Sequence, residues 1–246
     1  MTFGSLFAGI GGFDLGFERA GLTCSWQVEI NPFARRVLEK HWPTVPRHDD
    51  VHTFPPTDSD NWRVDVICGG FPCQDISSSG SKEGIGGERS GLWVEYARVV
   101  RTLRPRFVVV ENVADVLHRG LGDVLGDLAG MGFDAEWRLF PAAAFGVAQR
   151  RPRVFVVADA HRWRRDRGAE RHVFDAEVER GAYADGLAVG ERAAAGAAAR
   201  VRRMDSRVPG GVDRLRISAC GNAVAPAVAE WIGRRLMEVT VSTNGG

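Results

Sequence analysis

Five short apolar runs in the first 158 residues have the length and composition of buried β-strands. Several of them are apolar throughout, which is typical of strands in a parallel sheet covered by helices on both faces. The predicted strands are 3–9, 25–29, 64–70, 106–112 and 153–159. The stretches between them that are predicted to be helical are 12–20, 32–41, 91–103 and 120–131. This alternation predicts a doubly wound α/β domain with a mostly parallel sheet.

The pattern changes after residue 158. Residues 159–211 are rich in Arg, Ala, Glu and Gly and contain few large aliphatic side chains. A segment of this composition buries little apolar surface, so we expect a loose insertion that is partly disordered. The apolar periodicity returns in residues 212–246, where 225–239 is predicted to form an amphipathic helix. We therefore expect an α/β domain over 1–158, a small insertion, and a C-terminal segment.

Composition narrows the class of protein only a little. The net charge is +1 at pH 7, with 44% hydrophobic and 26% charged residues, as in an ordinary globular protein. No apolar run approaches the roughly 18 residues that span a bilayer, and the N-terminus lacks the basic region of a signal peptide. The 4 cysteines lack metal-finger spacing. We therefore expect a cytoplasmic protein with reduced thiols, no metal and no membrane contact.

A glycine-rich turn joins the first predicted strand to the first helix. Gly9 and Gly11 allow the backbone to approach a ligand at the helix N-terminus, but the turn could also be purely structural. It differs from the dinucleotide motif G-x-G-x-x-G because Asp14 stands in place of the third glycine. Glu29 favours a ligand site, since an acid about 20 residues on commonly binds ribose hydroxyls. Asp50 is a candidate for contact with an adenine amino group, although such an acid is more often a solvated loop residue.

Three further segments carry side chains that are suited to catalysis. Cys73 follows the strand 64–70, where open α/β sheets bind ligands, although most cysteines are small buried hydrophobes. Glu111 ends an apolar strand, either as an ordinary strand-end acid or as a general acid in a cleft. The Arg-dense run 150–153 enters the last strand and is suited to phosphate or a base carbonyl, or to a solvated edge.

Taken together, five segments resemble the motifs of the cytosine-5 DNA methyltransferase family in order and spacing. They are FAGIGG at 7–12, GGFPCQDIS at 69–77, ENV at 111–113, Q-x-R-x-R at 149–153 and GNAVAP at 221–226. The resemblance covers residues 3–158 and 212–238. It implies a Rossmann-like, S-adenosylmethionine-dependent fold whose C-terminal segment returns to the catalytic domain.

The resemblance implies methylation of cytosine at carbon 5 through a covalent intermediate. Cys73 is then the nucleophile that adds to carbon 6 of a base flipped out of duplex DNA. Glu111 supplies a proton at N3, and Arg151 contacts the carbonyl at position 2. The other implied residues are Arg153 in catalysis and Pro72, Gln74 and Gln149 in substrate binding.

The resemblance also implies a site for S-adenosyl-L-methionine, with S-adenosyl-L-homocysteine as the product. Glu29 is expected at the ribose and Asp50 at the adenine edge. Ile30 would supply the apolar face against the adenine ring, where many relatives have an aromatic residue. The other residues implied at this site are Phe7, Gly9, Gly11, Leu92 and Asn222.

The sequence departs from the family in the region that reads DNA. The interval 159–220 is shorter than usual, and the motif that normally precedes GN is reduced to Arg214 and Leu215. We therefore expect a small target-recognition region over 159–211. The expected partners are double-stranded DNA and, in a restriction-modification system, a cognate restriction endonuclease. An orphan or phage methylase is equally open, and we expect a monomer.

Three other classes of protein fit the sequence less well than a cytosine-5 DNA methyltransferase. One branch of the family methylates tRNA. Members of that branch commonly have a second cysteine beside the nucleophile motif, whereas Cys68 of this sequence lies on the other side of the motif. A non-catalytic DNA-binding relative would fit the reduced recognition region, whereas intact Cys73, Glu111 and Arg151 argue against it. A NAD-dependent oxidoreductase is disfavoured because hydride transfer does not explain the Pro-Cys loop.

Overall fold

The computed structural model of the protein describes residues 1–56, 59–72, 91–141, 152–160, 173–174 and 223–241. In these ranges seven strands form one sheet, in the order β3-β2-β1-β4-β5-β7-β6. The strands are β1 (Thr2–Leu6), β2 (Thr23–Val28), β3 (Arg47–His48), β4 (Val66–Gly70), β5 (Phe107–Val113), β6 (Phe133–Pro141) and β7 (Pro152–Ala160). The helices are α1 (Gly12–Arg19), α2 (Pro32–His41), α3 (Gly91–Leu103), α4 (Val116–Arg119), α5 (Leu121–Gly130) and α6 (Pro226–Val241). Short 3-10 helices lie at Val51–Thr53 and Ser59–Trp62.

Strands β1 to β5 run parallel, so their carboxyl ends meet at one edge of the sheet. Leu6 at the end of β1 pairs with Val28 on one side and with Gly69 on the other. The predicted α/β architecture is therefore confirmed. Strand β7 is antiparallel to both of its neighbours, β5 and β6. An apolar run such as 153–159 does not distinguish the two directions.

The sheet separates two layers of core. In β5, Val108 and Val110 belong to the cluster that includes residues of α3 and α5. Their neighbours Phe107 and Val109 belong to the cluster that includes residues of α1 and α6. Successive side chains of a strand point to opposite faces, and here both faces are covered, which explains why the strand is apolar throughout.

Most of the predicted elements agree with the structure to within a few residues. Helix α2 has the predicted bounds, because the Asn31 side chain accepts hydrogen bonds from the backbone N–H groups of Phe33 and Ala34 at 2.9 and 3.2 Å. Strands β3 and β6 were not predicted. The first has only two residues, and the second is an edge strand whose apolar positions alternate with charged ones.

Two residues of the predicted insertion belong to the core of the α/β domain. Val173 and Phe174 are buried, and the Glu136 carboxylate of β6 accepts hydrogen bonds from their backbone N–H groups at 2.6 and 3.1 Å. The Phe174 ring stacks on Trp231 of α6, with the centroids 6.1 Å apart. Val173 and Phe174 therefore pack against the α/β domain, and the small insertion over 159–211 stays a prediction. The remainder of 161–222 lies outside the described residues.

Candidate active site

The turn after β1 has an unusual backbone. Phe7, Gly9 and Gly11 have φ values of 51°, 57° and 86°, in the left-handed region that favours glycine. Phe7 is therefore strained, and strain of this kind clusters at functional sites. A Cβ added to Gly11 would overlap the Trp42 ring, whereas for one added to Gly9 the nearest atom of the described residues is the Phe7 carbonyl oxygen, at 4.0 Å. The space beside Gly9 is thus open to a ligand.

Glu29 lies at the end of β2, where its carboxylate joins two turns. It accepts hydrogen bonds from the backbone N–H groups of Gly9 and Asn31, both at 2.7 Å. These bonds fix the buried carboxylate and leave it further lone pairs for ribose hydroxyls. The next residue, Ile30, is 70% exposed, which is unusual for a large aliphatic side chain. It can therefore offer an apolar face to a planar ring.

Asp50 follows β3 at the same edge of the sheet. Its carboxylate accepts hydrogen bonds from the backbone N–H of His52 at 2.9 Å and from the His52 ring at 2.7 Å. These bonds hold the pKa of Asp50 below its usual range, so the carboxylate stays charged. Leu92 is partly buried on α3, where Tyr96 stacks on Phe7 with a centroid distance of 6.4 Å. A charged acid, a buried acid and apolar side chains that are exposed at Ile30 and partly buried at Phe7 and Leu92 fit an adenosine group.

Glu111 lies near the end of β5 and is paired with an arginine. Its Oε1 is 2.8 Å from Nε of Arg153 on the neighbouring β7, and only 9% of the Glu111 side chain is exposed. Burial raises the pKa of Glu111 to about 7, because the Arg153 guanidinium only partly offsets the loss of solvation. At neutral pH this carboxyl can therefore both hold and release a proton.

Two neighbours of Glu111 shape the start of the Cys73 loop. Gly70 pairs with Glu111 across β4 and β5, and a Cβ at this position would lie 2.5 Å from Oε2 of Glu111. Asn112 is buried, donates to the Phe71 carbonyl at 3.3 Å and accepts from the backbone N–H of Val113 at 2.8 Å. The glycines before Pro72 were expected to hold the loop in a defined shape, whereas no role was predicted for Asn112, whose place inside the ENV motif was the available signal.

Several predicted site residues lie outside the described part of the chain, and their roles stay predictions. They are Cys73, Gln74, Gln149, Arg151 and Asn222. Pro72, the last described residue before Cys73, is exposed. The C-terminal segment lies against the glycine-rich turn, because a Cβ added to Gly12 would overlap the Val224 carbonyl oxygen.

Asp14, which stands in place of the third glycine of the dinucleotide motif, is a buried acid that connects α1 to the sheet by hydrogen bonds. Its carboxylate accepts hydrogen bonds from Nε2 of Gln27 at 2.8 Å and from the Ser5 hydroxyl at 3.2 Å, and Cys24 lies at 3.5 Å. Burial raises the pKa of Asp14 to about 6. Among the described residues, no three His, Cys, Asp or Glu side chains are grouped to hold a metal ion.

The sheet order, with parallel strands β1 to β5 and helices on both faces, defines a Rossmann-like α/β fold. The profile of the C-5 cytosine-specific DNA methylase family matches residues 1–182, and the chain belongs to that family. Proteins of this family use S-adenosylmethionine as the methyl donor.

The similar curated proteins include Type II methyltransferases of bacteria. The chain is 36% identical over 162 residues to M2.BsuMI of Bacillus subtilis (strain 168), and the aligned part covers 63% of this chain and 41% of that protein. It is 30% identical over 161 residues to M.HhaI of Haemophilus parahaemolyticus, and the aligned part covers 64% of this chain and 48% of that protein. The chain thus spans less than half the length of these relatives.

The similar solved structures include methyltransferases of eukaryotes. Dnmt2 of S. pombe has a TM-score of 0.56 and 19% identity over 65% of this chain and 51% of its own. EhMeth of Entamoeba histolytica has a TM-score of 0.57 and 18% identity over 65% of this chain and 52% of its own. At this level of identity the likeness shows the fold.

Proposed function

We propose that the protein is a DNA (cytosine-5) methyltransferase that acts on a flipped-out cytosine of duplex DNA, with Cys73 as the nucleophile. The observation that carries this proposal is the buried pair of Glu111 and Arg153. The pair lies beside Gly70, three residues before Cys73, and at the edge of the sheet that carries Glu29. An acid with a pKa near 7 beside the nucleophile loop supports catalysis rather than DNA binding alone.

The chemistry requires that cytosine be activated before carbon 5 can react. The thiolate of Cys73 forms a bond to carbon 6, and Glu111 gives a proton to N3, so that carbon 5 becomes an enamine carbon. S-adenosylmethionine, when bound, supplies the methyl group from its sulfonium. Loss of the carbon-5 proton to a base then expels the Cys73 thiolate, and N3 returns its proton to Glu111. These last steps restore the aromatic ring.

Arg153 has two functions in this scheme. Its guanidinium keeps the pKa of the buried Glu111 carboxyl from rising further, so that the proton can be transferred in both directions. It also fixes one carboxylate oxygen, Oε1, which leaves Oε2 to face the base. Arg151 is proposed to contact the carbonyl at position 2 of the ring.

The residues that would hold the cofactor follow β1, β2 and β3. Glu29 would accept hydrogen bonds from the ribose hydroxyls, and Asp50 would accept one from the adenine amino group. Ile30 would cover the adenine ring, and Phe7 and Leu92 would line the pocket on the side of α3. Asn222 is proposed to close the pocket.

Double-stranded DNA is the proposed substrate, because the curated relatives of 30–36% identity described above are Type II methyltransferases. The similarity to these Type II methyltransferases also supports the proposal that the protein belongs to a restriction-modification system with a partner endonuclease. We propose that residues 159–211, apart from Val173 and Phe174, read the target sequence. The protein is proposed to act as a cytoplasmic monomer. No helix in the described ranges is long and apolar enough to cross a membrane.

The covalent mechanism is tested with duplex DNA in which 5-fluorocytosine replaces cytosine. Because fluorine cannot leave carbon 5 as a proton does, Cys73 should stay bonded to carbon 6 after methyl transfer. We expect a denaturant-stable adduct that requires S-adenosylmethionine and is absent with Cys73→Ser. Lack of an adduct with the wild type, or an equal amount with Cys73→Ser, would contradict the proposal.

A further inference from the structure

Arg98 of α3 holds the turn that carries Asp50. Its Nη2 donates to the carbonyl oxygens of Val51 at 2.7 Å and Phe54 at 2.6 Å, with that of His52 at 3.5 Å. These carbonyls belong to the 3-10 helix 51–53 and to the residue that ends it. One guanidinium group thus binds the oxygens at the C-terminal end of the short helix.

The opposite end of the same turn is capped by Asp50. The Asp50 side chain accepts from the His52 backbone N–H, and its carbonyl oxygen accepts from the backbone N–H of Thr53 at 3.2 Å. Because the helix has only three residues, its geometry depends on both ends. The carbonyls bound by Arg98 and the carboxylate of Asp50 therefore belong to one short turn.

Arg98 is itself held in place. Its Nε donates to Oε2 of Glu95, one turn earlier on α3, at 2.6 Å. The Glu95 side chain is only 19% exposed and that of Arg98 is 35% exposed. A partly buried pair of this kind fixes the guanidinium plane, so the donor to the carbonyls has a defined position. A lysine carries all its donors on one nitrogen, so it does not have the two separate nitrogens with which Arg98 binds Glu95 and these carbonyls.

We propose that Arg98 is a positioning residue for the cofactor site, and that it acts through Asp50 on recognition of the adenine amino group. The inference rests on the proposed function, in which Asp50 accepts a hydrogen bond from this amine. Helix α3 then serves the site at two points, with Leu92 in its first turn and Arg98 near its middle.

The test measures binding of S-adenosylhomocysteine to the full chain by calorimetry. We expect Arg98→Met to weaken binding about tenfold, the size expected when hydrogen bonds from a charged donor are lost. Arg101→Met, an exposed arginine on the same helix, is the matched control and should change binding less than about twofold. Arg98→Lys should give an intermediate loss and replaces Arg98→Met if that variant does not fold.

A double-mutant cycle separates positioning from a general loss of stability. In an Asp50→Ala background, the Arg98→Met change should weaken binding less than about twofold, because its target has been removed. The effect should likewise disappear for an analogue in which a carbonyl replaces the adenine amino group. The melting temperature should fall by the same amount in both backgrounds.

Two results would overturn the inference while leaving the proposed function intact. One is an equal loss of binding in the wild-type and Asp50→Ala backgrounds, and the other is wild-type affinity for both Arg98 variants. Failure of the wild type itself to bind S-adenosylhomocysteine would contradict the proposed function, and the inference with it.

Discussion

At the scale of single residues, the proton affinity of Glu111 is set by two opposing effects. Burial disfavours its charged form, and the Arg153 guanidinium 2.8 Å away favours it. The outcome is a pKa of about 7, above the ordinary value for a glutamate. Since the proposed mechanism requires the protonated form, kcat/KM should fall as the pH rises above about 7.

Arg153→Met should shift this fall in activity to higher pH. Without the guanidinium, Arg153 no longer offsets the effect of burial, so the pKa of Glu111 rises and the protonated form persists further into the alkaline range. The measurement is the pH profile of kcat/KM for the wild type and the variant on duplex DNA. A profile that stays in place, or moves to lower pH, would mean that Glu111 does not govern it.

Gly70→Ala should lower kcat roughly 100-fold, because displacement of a catalytic group by about 1 Å has effects of that size. The new Cβ would lie 2.5 Å from Oε2 of Glu111 and would push the carboxylate away from the base. The affinity for S-adenosylhomocysteine should be unchanged. Gly126→Ala is the matched control, since no atom of the described ranges lies within 4 Å of its added Cβ. Equal activity of the two variants would contradict this role.

At the scale of elements, the sequence predicted those whose pattern is local. Helix α2 was predicted with its observed bounds, because Asn31 and Pro32 mark its start. Strand β6 was missed although its apolar positions alternate with Asp134, Glu136 and Arg138, the pattern of a strand with one buried face. Its place at the edge of the sheet, beside a β7 that is antiparallel to β5, follows from strand pairing and is not contained in the local pattern.

The contact of Val173 and Phe174 with α6 was also not predictable from local pattern. Phe174→Ala should lower the free energy of unfolding by about 3 kcal/mol, as for other buried phenylalanines. Urea unfolding of the full chain is the measurement, and Val94→Ala, at a position that is 57% exposed, is the control with a change below about 0.5 kcal/mol. A loss no larger than that of the control would show that 173–174 does not anchor the chain.

At the scale of the whole molecule, the sequence predicted which residue types meet at the site better than how they are held. Glu29, Asp50 and Glu111 lie at one edge of the sheet, because each is near the carboxyl end of a parallel strand. The contacts of Arg98 with the carbonyls of 51–54 join residues at least 44 positions apart, and none of the sequence motifs described above predicts these contacts. Contacts of that kind depend on the packing of α3 against the sheet.

Deletion of residues 178–205 should separate DNA binding from cofactor binding. The deletion leaves Val173 and Phe174 in place, so S-adenosylhomocysteine should bind with unchanged affinity by calorimetry. Duplex binding should be lost, since the deleted part holds much of the Arg-rich proposed recognition region. A variant that binds duplex DNA as the wild type does would place recognition elsewhere.

A short recognition region also predicts a short target. Each bidentate base contact gives about 1–3 kcal/mol of discrimination, and a small surface has room for few, so we expect roughly two to four base pairs. Wild-type binding should weaken steeply with salt, because arginine contacts to phosphates release counterions. A strict target of about six base pairs or more would mean that more of the protein, or a partner, reads the sequence.

The most direct test of the account is bisulfite sequencing of DNA from cells that express the protein. The wild type should produce 5-methylcytosine at a defined short sequence, whereas Cys73→Ser should produce none, because a hydroxyl is far less acidic than a thiol and does not form the carbon-6 adduct. Methylation that persists with Cys73→Ser, or its absence with the wild type, would contradict the central claim.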